Sequence, residues 1–324
     1  MSGSGGSGAS GGSGELGRSG EPGDADGPGE PRPRRPRTVG RRAVLAAGVV
    51  ALAVPLVSLY RPREDLLTAG RRAGHLRLGV SNEPPFGYVT PAGAVTGQSV
   101  EVTRRVLADL GVPDVTGVVT DFGGLIPGLL AGSCDVVAAG MTVTVGRCNE
   151  VRFSAPLFAV RQGFAVRADD DREIASYDDL LRLPAQVRVA VLSGSVEQLD
   201  LQHAGLPESS TVVLPDVAAM TGALLAGRVD VLVLTAPRVR WMASTNPEEV
   251  RVAGTFAPDG IVPRCGALAF RPADGDLVAA FDRALARRFA DGWVQEMSAS
   301  FGFAADEIQD ARRWTVGELC AGIG

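Results

Sequence analysis

The chain has no lysine; each of its 32 basic side chains is arginine, which reads as coding bias and not as a binding device. Against 37 acids this leaves a formal charge of -5, so there is no basic footprint and nucleic acid is excluded as a partner. Histidine occurs twice, as His75 and His203, with no partner at ligand spacing, so no metal role is assigned. The four cysteines (Cys134, Cys148, Cys265 and Cys320) form no CxxC pair, which argues against a zinc knuckle. No His/Cys constellation supports a nucleophile, so no catalytic residue and no cofactor are expected. In an oxidising compartment the four thiols allow three full pairings, and spacing does not choose among them. Aromatic residues make up only 5% of the chain, yet hydrophobic residues reach 45% of 324, enough for one or two sizeable cores.

Met1 to about Glu30 is rich in Gly, Ser and Pro and cannot bury enough apolar surface to order itself, so residues 1–40 are expected to be a flexible tail. Arginines 32, 34, 35, 37, 41 and 42 precede an apolar run from Ala43 to Tyr60. Basic residues before an apolar core are the layout of a signal sequence or signal anchor over residues 41–60. The Arg41-Arg42 pair with Leu45 behind it loosely suits the twin-arginine route. No cysteine ends the run and no clean A-x-A site follows. Export is expected, with any membrane contact confined to this segment; cleavage and retention both stay open.

Folded sequence is expected from about Gly74. His75–Val80 reads as a strand, Asn82–Tyr88 as a loop, Gly97–Leu110 as a helix and Val112–Val119 as a second strand. Gly123–Ala131 reads as a short helix and Asp135–Ala139 as a buried parallel strand that stops at Gly140. This alternation predicts a parallel sheet with helices on both faces. A similar pattern returns over Val187–Thr235, with a Gly194-Ser195 turn whose backbone N–H groups suit an anion. Helix is expected at 237–244, followed by a loop; strand at Gly266–Phe270; and helices at Asp276–Gly292 and Val294–Phe301. Two α/β lobes with a return segment imply a cleft between them. Arg147 lies one short loop past the end of a buried strand, where its planar fork suits a carboxylate.

The blocks Asn82-Glu83-Pro84-Pro85-Phe86, Phe122-Gly123-Gly124-Leu125-Ile126-Pro127-Gly128-Leu129, Ala131-Gly132-Ser133-Cys134-Asp135, Ala139-Gly140-Met141-Thr142, Val151–Pro156 and Ala226-Gly227-Arg228-Val229-Asp230 go further. With Arg147 they make the chain from about Leu76 to Cys320 resemble the bacterial solute-binding proteins that feed polar amino acids and similar solutes to ABC importers. The resemblance implies a two-lobed periplasmic-binding-protein-like (type II) α/β fold with a hinge and an interlobe ligand cleft. Its expected layout is lobe 1 at 74–163, lobe 2 at 164–262, and a return to lobe 1 with C-terminal helices at 263–324. It also implies an extracytoplasmic monomer, ABC permease subunits as partners, and capture of solute by lobe closure.

Within that family the blocks most resemble the ectoine and hydroxyectoine binders, through Asn-Glu-Pro-Pro-Phe, the Arg147-Cys148 pair and Glu318-Leu319-Cys320-Ala321-Gly322. That implies a small zwitterionic solute. Arg147 would hold its carboxylate, helped by the Gly140 backbone. Glu83 would face its cation, Phe86 and Phe122 would wall it, and Ser195 would reach in from lobe 2. Thr142 stands where those binders carry a third aromatic. Thr235 stands where polar amino-acid binders place the aspartate for the α-ammonium, which favours a charge-delocalised ring over an ordinary amino acid. A polar amino-acid binder, a tethered sensor ectodomain and a dehydratase-like enzyme on the same fold are the alternatives.

Overall fold

The computed structural model describes residues 64–257 and 264–322. The tail and the apolar run expected at 1–40 and 41–60, and the lobe boundary expected at 262/263, lie outside these residues. Among the described residues no helix is long and apolar enough to cross a membrane.

Two five-stranded sheets, each backed by helices, form two lobes. In chain order the strands are β1 (His75–Val80), β2 (Tyr88–Val89), β3 (Val95–Thr96), β4 (Asp114–Val119), β5 (Val136–Val137), β6 (Arg152–Phe153) and β7 (Phe158–Val160). There follow β8 (Gln162–Arg167), β9 (Val189–Leu192), β10 (Thr211–Leu214), β11 (Val231–Thr235), β12 (Val250–Phe256), β13 (Arg264–Gly266) and β14 (Ala269–Phe270). The first lobe has the order β4-β1-β5-β14-β6, the second β10-β9-β11-β8-β12, and β13 pairs with β7 as a two-stranded ladder. β1 runs parallel to β4 and β5, while β14 enters antiparallel between β5 and β6. The second sheet repeats the parallel trio as β10-β9-β11 and adds antiparallel β8 and β12.

One device recurs in both lobes. Asp135 precedes β5, and its carboxylate accepts the backbone N–H of Arg77 at 3.0 Å in neighbouring β1. Asp230 precedes β11 and accepts the N–H of Arg188 at 2.9 Å, just ahead of β9. Each aspartate caps the sheet end remote from the cleft, so the strands' carboxyl ends point toward the cleft. The central strands are buried on both faces, as their unbroken Val/Leu/Ala runs require.

Several elements depart from the sequence reading. A helix at Leu66–Ala73 lies ahead of the expected start near Gly74, and Asp65 caps it by accepting from Leu67 N and Thr68 N. Arg147, one loop past β5 as expected, lies on a one-turn helix not foreseen, Val145–Cys148, which Thr144 caps. The strand expected at Gly266–Phe270 is two strands in two sheets: β13 ends on the ladder with β7, and β14 joins the first lobe. Between them Leu268 N–H donates to Ser154 Oγ at 3.1 Å, which turns the chain from one sheet to the other. The loop expected after residue 244 contains β12, whose alternation is broken by a bulge between Val252 and Gly254. Short helices at Ala305–Ala311 and Val316–Ala321 close the described chain. Of the three pairings left open for four cysteines, none is complete: Cys148 and Cys320 are bonded, while Cys134 and Cys265 are free and buried.

Candidate functional site

The carboxyl ends of the strands and the loops after them meet in a narrow cavity between the lobes, whose free volume of about 20 Å³ is room for about one water molecule. Glu83, Phe86, Phe122, Gly140, Thr142, Arg147, Ser195 and Thr235 all line it. The structure therefore brings together every residue singled out from the sequence, and adds Leu192, Val196, Glu197 and Leu234.

From the first lobe, the loop after β1 folds back on itself: Glu83 N–H donates to Gly87 O at 2.9 Å, and Phe86 N–H to Glu83 O at 2.9 Å. This turn drives the Glu83 side chain inward, where only 6% of the residue is exposed. Burial pushes its carboxyl up to about 7; Arg238 opposes that rise and Glu197 adds to it. The Phe86 ring packs 5.2 Å from Phe158 and 5.6 Å from Phe303, so it belongs to the core as well as to the cavity wall. Gly140 has φ +69°, and a Cβ there would overlap the Phe86 ring. The close approach that this glycine permits is thus the approach of Phe86.

Arg147 reaches across the cleft. Its Nη1 donates to Thr142 O at 2.7 Å in its own lobe, and its Nη2 to Gly194 O at 2.9 Å in the other. The guanidinium carbon stands 5.5 Å over the Phe122 ring, so Phe122, read as a wall for the solute, also supports the arginine. Burial lowers the Arg147 pKa to about 10, against the attraction of Glu197, and the group stays charged at neutral pH. The disulfide to Cys320 fixes the residue immediately after it. With two N–H groups engaged, three of the five guanidinium donors remain for a carboxylate.

From the second lobe, Ser195 caps the helix Val196–Ala204 by accepting from Gln198 N at 3.3 Å. The Gly194 N–H donates to Gln198 Oε1 and the Ser195 N–H to Leu192 O. Both N–H groups expected to hold an anion are therefore already engaged. Glu197, in the first turn of that helix, is 5% exposed, and its Oε1 has no hydrogen-bond partner. Burial raises its pKa. Thr235 ends β11 with its Oγ1 buried and also unpartnered. Sequence reading missed Glu197 as a site residue; its signal was an acid in the first turn after a Gly-Ser strand end. It also missed Arg238, on the helix Ala236–Thr245, whose Nη1 donates to the Pro84 carbonyl of the first lobe.

The lobes are closed on each other. A Cβ built on Gly194 would lie 3.0 Å from the Gly123 Cα of the opposite lobe, so glycine faces glycine at this contact. The Tyr88 and Trp241 rings stand 6.1 Å apart, and Arg240 pairs with Glu307 at 2.8 Å.

The comparisons agree with this geometry. The chain is 29% identical over 287 residues to a probable amino-acid ABC transporter periplasmic-binding protein of Sinorhizobium fredii, covering 86% of this chain and 94% of that one. Among solved structures it resembles EhuB in complex with hydroxyectoine, at 31% identity and TM-score 0.70, over 79% of this chain and 97% of the other. It also resembles the ancestral amino acid-binding protein AncCDT-1, a precursor of cyclohexadienyl dehydratase, at 26% identity and TM-score 0.64, over 72% and 98%. The family model for bacterial extracellular solute-binding proteins, family 3, matches residues 76–304, and the chain belongs to that family.

Proposed function

We propose that this protein is the extracytoplasmic binding component of an ABC importer and that its cleft takes a small zwitterion of the ectoine or hydroxyectoine kind. The observation that carries the reading is the charge layout of one closed cavity. It places a half-buried arginine, Arg147, beside two buried carboxyls, Glu83 and Glu197. In this reading Arg147 takes the solute carboxylate. Glu83 and Glu197 face its cation, and Phe86 and Phe122 flank it. Gly140, Thr142, Ser195 and Thr235 complete the polar lining. The 31% identity to EhuB over most of both chains supports the solute class. Contacts from both lobes stabilise the closed state, which the permease subunits recognise, and no turnover is part of the mechanism.

A second reading, a polar amino acid as solute, is favoured by Glu197. Its unpartnered oxygen supplies from lobe 2 an acid that Thr235 does not, so an α-ammonium would have a partner. Calorimetric titration of ligand-free protein from residue 64 onward, with ectoine, hydroxyectoine, glycine betaine and a panel of amino acids, separates the two. Micromolar or tighter binding of ectoine and hydroxyectoine supports the first reading. Tight binding of an amino acid with none of the cyclic solutes supports the second.

The arginine cluster and the apolar run 43–60 support export of a monomer whose contact with the membrane is confined to that run. N-terminal sequencing of the protein recovered from the cell surface distinguishes a cleaved leader from a retained anchor.

A further inference from the structure

A second arginine spans the contact between the lobes beside the loop that bears Glu83. Arg238 stands three residues past Thr235, on the helix Ala236–Thr245 of the second lobe, and only 7% of it is exposed. Its Nη1 donates to the carbonyl of Pro84, the residue after Glu83, and its Nε is buried without a partner. The same helix meets the first lobe twice more, through Trp241 against Tyr88 and Arg240 against Glu307. Arg238 is thus delivered to the Glu83 side of the cavity by the motion that shuts it.

Four ionisable groups stand in or beside the closed cavity: the buried acids Glu83 and Glu197, the half-buried Arg147, and the buried Arg238 next to the Glu83 loop. The neighbouring pair, Arg264 and Asp200, is internally balanced. With all four ionised their charges sum to zero. A solute without net charge leaves the closed cleft neutral, whereas a net cation or anion leaves one charge uncompensated in a low-dielectric site, which weakens its binding.

We propose that Arg238 is a specificity-determining residue: by bringing a positive charge to Glu83 on closure it restricts this cleft to solutes of zero net charge. The inference rests on the reading of this cavity as the solute site. Without Arg238 an ionised Glu83 leaves the closed cleft with an extra negative charge, which disfavours a zwitterion and favours a cation.

The test is calorimetry on residues 64–324 with ectoine and L-glutamine as net-neutral probes, L-arginine as the cation and L-glutamate as the anion. The wild type is expected to bind at least one neutral probe more tightly than either charged one. In Arg238→Met the affinity for that probe falls at least tenfold, and the arginine-to-neutral affinity ratio rises at least tenfold. Arg238→Lys keeps the charge and holds that ratio within about threefold of wild type. Arg238→Gln keeps a donor for the Pro84 carbonyl but loses the charge; it follows Arg238→Met, and it replaces that variant if the latter shows no cooperative melt. A ratio unchanged in both neutral variants overturns the proposal while leaving the cleft as the binding site. So does a wild type that binds L-arginine as tightly as the neutral probes. A wild type that binds none of the four, nor any solute of the wider panel, removes the site reading and this inference with it.

Discussion

The Glu83 carboxyl makes solute binding depend on pH in a direction that can be worked out. Burial raises it from an ordinary value of 4.5 to about 7, so near neutrality half of the ligand-free closed molecules carry it protonated. A cationic group placed against it favours the ionised form and pulls the value back down. Binding therefore expels a proton below pH 7, and affinity weakens as pH falls. If the bound value drops below about 4.5, the protonated fraction weakens the apparent Kd by about 1.3-fold at pH 7.5 and about 30-fold at pH 5.5. The net change is about 25-fold, or about 1.9 kcal/mol. The stability of the ligand-free fold moves the other way. A raised carboxyl stabilises the folded state most below its unfolded value near 4.5, and that contribution is lost as pH rises through about 7. The assay is calorimetry at pH 6 in two buffers of different ionisation enthalpy, with Kd followed from pH 5.5 to 7.5. The expected release is close to one proton per solute, reduced by most of that amount in Glu83→Gln. A flat Kd across the range, or equal release from Glu83→Gln, would refute the assignment of Glu83 to the solute's cation.

Arg147→Ala removes the carboxylate partner together with the bond to Gly194 O, and is expected to weaken binding at least 100-fold with an unchanged circular dichroism spectrum. Affinity within threefold of wild type would contradict the site. Gly140→Ala places a Cβ at φ +69° against Phe86, so its melting temperature should fall by the equivalent of about 1–3 kcal/mol, and a neutral outcome would show that the loop can move. Replacing Cys148 and Cys320 together by serine frees a loop with a sequence separation of 172 residues. On the chain-entropy account this costs about 5 kcal/mol, read as a lower midpoint in urea; an unchanged midpoint would mean strain in the native bond offsets it.

What the sequence disclosed and what it hid differ in range. The parallel strands were legible because burial on both faces writes an unbroken apolar run, as in Val231–Leu234. The site residues of the loops were legible because Pro, Gly and Arg punctuate those loops and because the blocks resemble a family. β12 was hidden because Gly254 and a bulge interrupt its alternation. The division of Gly266–Phe270 between two sheets was hidden because one short apolar run satisfies either. Arg238 and Glu197 read as ordinary helix residues. What makes them unusual is burial between lobes that are far apart along the chain, and no local pattern records that. The choice of Cys148 and Cys320 has the same character, since it depends on a helix meeting a helix across a sequence separation of 172 residues.

That bond also sets an order of assembly. The cystine brackets every described strand of the second sheet, so it cannot form until the chain from Cys148 through Cys320 is present and exposed to an oxidant. Until then the single turn that bears Arg147 is held only by its Thr144 cap and by packing. A half-delivered molecule would lack β14, which sits between β5 and β6 in the first sheet, as well as the covalent anchor beside that arginine. The bracket thus ties completion of the binding site to the presence of the chain's last described helix, and a chain trimmed ahead of Cys320 would leave Cys148 an unpaired, oxidisable thiol next to the cleft.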